Sequence, residues 1–90
     1  MMKTLYNTIT LDGYTVKYYL TSETTSGLSY YGIMLTSEND EISYSSHISG
    51  IFPYKNNAVT LLTYLFDHNV TPLSMKDAVM EYMDEKFVTC

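Results

Sequence analysis

The side chains equipped for proton transfer, nucleophilic attack or metal ligation are few and scattered. Asp67-His68 is an adjacent carboxylate and imidazole, the half of a dyad from which a general base or a metal site would start. His68 falls in the last turn of a helical segment, where an imidazole suits the negative end of the helix dipole. His47 falls on a strand and reads as a solvated or stacked ring. The two histidines lie on different elements, and no acid is placed by the sequence to complete a metal shell. Asp40-Glu41 and Asp84-Glu85 pair carboxylates as a glycosidase must, but they read as a turn and a solvated helix end. No serine stands in a nucleophile-elbow pattern, and Cys90, the last residue, has no sequence-defined base. The glycines at 13, 27, 32 and 50 are too dispersed to cradle a phosphate. The expectation is a non-enzyme with no catalytic residue, no metal and no cofactor.

Composition points to binding instead. Ten of the 90 residues are tyrosine, and tryptophan and arginine are both absent. Tyrosine joins a large apolar ring to a polar tip and suits contact surfaces, whereas losing arginine removes the bidentate grip on phosphates and carboxylates. Five lysines against ten acids leave a net charge of −5, which repels nucleic acid. The N-terminus lacks the apolar run of a signal peptide, and no segment is long enough to span a bilayer. A single cysteine gives no disulfide framework, and Cys90 reads as an incidental thiol rather than an intermolecular bridge. A cytoplasmic protein forming one domain, 1–90, is expected, with no membrane or direct nucleic-acid partner. A core of this size is modest, so oligomerisation is a plausible source of further burial.

The elements that must position any site follow from periodicity. Asp12-Gly13 between two β-rich runs predicts a two-residue type I′ hairpin. Its register sets Leu11 against Tyr14, Ile9 against Val16, Asn7 against Tyr18 and Leu5 against Leu20. The alternate set pairs Thr10 with Thr15, Thr8 with Lys17, Tyr6 with Tyr19 and Thr4 with Thr21. One face is then apolar and the other rich in threonine, as for a sheet covered on one side. A polar loop at 22–27 leads to a third strand near 28–36. Ser37-Glu38-Asn39-Asp40 turns into a fourth near 41–48, which sets Leu35 against Ile42 and Ile33 against Tyr44. Residues 49–55 carry the chain off the sheet. Ala58, Leu61, Leu62, Leu65 and Phe66 then form a helical apolar stripe, capped by Asn56 and closed by Asn69 in a left-handed conformation. Thr71-Pro72 or Ser74-x-x-Asp77 opens a second helix, whose stripe is Met75, Ala78, Val79, Tyr82 and Met83, extended by Phe87. The predicted fold is α+β: a four-stranded antiparallel meander followed by a helical hairpin covering one sheet face.

Several segments resemble a family of short uncharacterised proteins from clostridia and related Firmicutes, classed as a domain of unknown function. They are Tyr31-Gly32-Ile33, Ile48-Ser49, the leucine-rich run 59–66, Asn69-Val70-Thr71-Pro72-Leu73 and Asp77-Ala78-Val79. The resemblance covers about two thirds of the chain. It implies a bacterial or phage context and supplies no catalytic residues.

Two surfaces remain as candidates. The first is the uncovered sheet face, with Tyr6, Tyr19, Tyr30 and Met34 among threonines and Lys17; aromatic residues are enriched at interfaces and methionine adapts to a partner. The second is acidic: Asp77, Glu81, Asp84 and Glu85 on the last helix, spaced on the order of the phosphates of a DNA strand. The expected function is protein interaction, with a protein partner or a second copy, through the tyrosine-bearing face. The alternative is a phage-encoded inhibitor of a host defence nuclease, an acidic mimic of nucleic acid.

Overall fold

A computed structural model of the chain describes residues 1–87, with side chains described for 1–84. Strands β1 (Met2–Leu11), β2 (Tyr14–Thr25), β3 (Leu28–Glu38) and β4 (Ser43–Phe52) form one antiparallel sheet in chain order. Helices α1 (Lys55–Asp67) and α2 (Met75–Phe87) follow. This is the α+β meander and helical pair that the sequence predicts.

Asp12 and Gly13 have φ of 50° and 82°, the two left-handed residues that a type I′ turn requires. A Cβ at Gly13 would meet nothing within 4 Å. Gly13→Ala should therefore cost only the strain of an L residue at positive φ, about 1–2 kcal/mol, read as a lower urea midpoint. The expected loop at 22–27 is mostly strand: β2 runs to Thr25, and Ser26 (φ 53°) and Gly27 (φ 80°) make a second two-residue turn. The threonines there are β-branched and favour strand, but on an exposed sheet end nothing apolar marks them as such.

The helices cover one face. Ala58, Leu61, Leu62 and Leu65 of α1 and Met75, Val79 and Tyr82 of α2 are buried against Val16, Tyr18, Ile33, Leu35 and Phe52 of the sheet. Tyr18 is fully buried, edge-on to Phe66 at 5.5 Å between ring centroids, and its hydroxyl donates to the Val70 carbonyl at 2.7 Å. That bond satisfies the one polar atom of the ring and ties the link between the helices to β2. α1 starts one residue before the expected cap Asn56, after Tyr54, and no side chain caps it. It ends as predicted, with Asn69 at φ 53°. Ser74 directly precedes α2, but its hydroxyl donates back to the Thr71 carbonyl rather than forward into the helix.

Two registers differ from expectation. The β1–β2 pairing is as predicted from Leu11–Tyr14 to Asn7–Tyr18, and then a bulge at Tyr6 sets Leu5 against Tyr19, Thr4 against Leu20 and Lys3 against Thr21. One extra residue reverses which side chains face which way. Tyr6 accordingly turns to the helix side, where its hydroxyl lies 2.6 Å from Thr63 Oγ1 on α1. The Thr63 hydroxyl donates to the Val59 carbonyl, so it accepts from Tyr6. In the second hairpin Leu35 opposes Ser46 and Ile33 opposes Ile48, not Ile42 and Tyr44. Asn39 is the cause: its Oδ1 accepts the Glu41 and Ile42 amides, and its own amide donates to the Ile42 carbonyl. Residues 39–42 thus close as a loop outside the sheet. β4 then continues to Phe52, using Ser49, Gly50 and Ile51 where β3 uses Gly32 alone.

Candidate functional site on the open sheet face

Paired residues of adjacent strands point to the same face, so the registers define the side that the helices leave uncovered. A row of Leu5, Tyr19, Met34 and His47 crosses all four strands there. Lys3, Thr21 and Gly32 form the next row, and Thr8, Lys17, Thr36 and Ser45 the one on the other side. Tyr30 lies opposite Glu23 toward one end. The Lys3 ammonium sits 4.6 Å from the centroid of the Tyr19 ring, a cation–π contact that holds the ring against the sheet. His47 Nε2 is 3.3 Å from Thr21 Oγ1, and Lys17 Nζ is 3.5 Å from a Glu38 carboxylate oxygen.

Three of the four expected contact residues, Tyr19, Tyr30 and Met34, therefore lie on the uncovered face, each partly buried. Tyr6 does not; the bulge removes it to the helix side and brings Leu5, which is 52 % exposed, into its place. The available signal was Asn7, a residue type depleted in strands, whose Oδ1 accepts the Thr8 amide beside the bulge.

Charge is divided between the open face and the turns and helices. On the open face Lys3 and Lys17 balance Glu23 and Glu38. Turns and helices carry Asp12, Asp40, Glu41, Asp67, Asp77, Glu81 and Asp84 against Lys55 and Lys76 among the described side chains. Asp77, Glu81 and Asp84 are exposed on α2 with Lys76 beside them. The Glu85 side chain and Cys90 lie outside the described residues.

The histidines take structural contacts. His68 Nδ1 lies 2.8 Å from the Tyr64 carbonyl, to which it donates, and its ring packs 4.3 Å from that of Tyr64, which in turn meets Tyr82 at 5.1 Å. His68 thus caps α1 through Tyr64, and its Nδ1 is not directed to Asp67. Among the described residues, no three of His, Cys, Asp and Glu are grouped to hold a metal ion. A cleft of about 470 Å³ separates the tip of the first hairpin from the link between the helices. Its lining includes Tyr14, Val16, Ser37, Tyr44 and Pro72, with Asp12 as the one carboxylate among the described residues. A shallower one of about 340 Å³ at the other end is lined by Leu28, Tyr30, Tyr31 and Tyr54. Among the described residues, neither lining sets an imidazole or thiol beside an acid.

No helix among the described residues is long and apolar enough to cross a membrane. No curated protein and no solved structure matches the chain. Residues 2–85 match the model of DUF6514, a family of unknown function, and the chain belongs to that family.

Proposed function

We propose that the chain is a non-catalytic interaction module that binds protein through its open sheet face, with Leu5, Tyr19, Tyr30 and Met34 as contact residues. The observation that carries this reading is the one-sided cover: both helices pack on the same face, and Tyr19, Met34 and Leu5 stand in one row on the other. Aromatic and methionine side chains at the centre of a surface with polar edges match the composition of interface cores. Replacing Tyr19 and Tyr30 together by serine should weaken association with whatever the face binds by about tenfold or more, and leave the circular dichroism spectrum unchanged. Self-association and partner capture by the double variant, both equal to those of the parent, would contradict it.

The second reading, a phage-encoded acidic decoy for a nuclease, rests on Asp77, Glu81 and Asp84 and on the charge division. It predicts binding that weakens steeply with salt and that is abolished by charge reversal on α2. The open-face reading predicts neither.

A further inference from the structure

We propose that the occupant of the open face is a second copy of this chain, seated sheet against sheet about a two-fold axis. This rests on the open-face reading and names its partner. The open face is electrically balanced. On the open face the Lys3 ammonium lies over the Tyr19 ring, Lys17 pairs with Glu38, and the described charges of that face cancel. Covering it with an identical face strands no excess of one sign. The chain's net charge of −5 then stays on the turns and helices. A basic partner would be drawn to those acidic parts instead.

The face is also large enough for a weak dimer. Four strands spaced about 4.8 Å apart, with about ten residues rising 3.3 Å each, span at most on the order of 600 Å² per copy, or about 1,200 Å² for a pair. This is an upper bound, since Thr21 and Gly32 in one row are already buried against the β4 bulge. The pair's area lies at the lower limit of specific, stable interfaces, and each copy's share is about a tenth of the chain's 5816 Å² surface. A two-fold axis between Tyr19 and Met34 brings each copy's central pair against its counterpart, the self-complementary arrangement of cyclic dimers. Twisted sheets stacked about 10 Å apart make such a contact without backbone change.

The salt dependence has a sign opposite to that of an acidic decoy. Two chains of net charge −5 repel, and screening relieves the repulsion, so the dimer should tighten as salt rises. Sedimentation equilibrium of the full chain at about 50 and 500 mM salt should give a reversible dimer with a roughly micromolar dissociation constant, tighter at the higher salt. Met34→Lys opposes two like charges at the centre and should weaken the dimer by about tenfold or more. Met80→Lys, on the exposed side of α2, should leave it unchanged. If Met34→Lys melts early, Thr36→Lys in the adjacent row replaces it. A chain that stays monomeric at high concentration in both salts overturns the proposal. If that monomer still captures another protein and Met34→Lys abolishes the capture, the open-face reading survives without the second copy. A dimer broken by Met80→Lys but not by Met34→Lys overturns both.

Discussion

Replacing Gly32 by alanine is expected to unfold the protein or bring it close to unfolding. A Cβ at this position would collide with the Ile48 carbonyl oxygen and lie 2.9 Å from both Ser49 Cα and Thr21 Oγ1. Two of these neighbours are backbone atoms of the β4 bulge, which cannot rotate away as a flexible side chain can. Relief requires β4 to separate from β3 where Ser49, Gly50 and Ile51 span the single residue Gly32, and Ile48 and Phe52 on either side would be drawn from the core that they line. A loss of about 3 kcal/mol or more is expected, as for other severe overpacking. A domain of this size holds roughly 5–13 kcal/mol in all. Urea unfolding followed by circular dichroism measures it. A change below about 1 kcal/mol would mean that the β3–β4 register described above is wrong. The contrast with Gly13 is informative, because there the space is open and only the backbone angle is at stake.

Raising the pH from 10 to 12 is expected to remove about 2 kcal/mol of stability through Tyr18. Burial pushes the phenol pKa up from its ordinary value of 10.0 to about 12, because the phenolate would lose its hydration. The unfolded chain releases this proton near pH 10 and the folded chain only near 12. The folded state therefore binds more protons within that window, and its advantage is complete below pH 10 and lost as the pH rises through about 12. Tyr18→Phe abolishes this part of the pH dependence. It also leaves the Val70 carbonyl without its donor, at a cost of about 1–2 kcal/mol at neutral pH. Thermal melts of parent and variant across this range test both effects. An unchanged slope in the variant would place the responsible group elsewhere.

The bond from Tyr18 to Val70 illustrates what periodicity leaves out. The alternation in β2 assigns Tyr18 to the covered face, but the carbonyl that satisfies it lies 52 residues away in the link between the helices. The same holds for Gly32 and Ile48-Ser49, which stand apart in the sequence and touch in the fold. Glycine in a strand is a sign of close backbone approach, yet nothing nearby names what approaches.

Local physics determined the rest of the plan. Asp12-Gly13 fixes a turn because its two residues tolerate positive φ; the stripes at 58–66 and 75–83 fix two helices because apolar spacing matches the helical repeat; Asn69 ends the first of them. Each of these signals acts within a few residues, so the order of elements and the covered face were legible from the chain alone. The tertiary structure decided which tyrosines face outward and how far β4 runs. Side-chain direction in a strand alternates with every residue, so one bulge at Tyr6, anchored by Thr63 on a distant helix, exchanges Tyr6 for Leu5 on the open face.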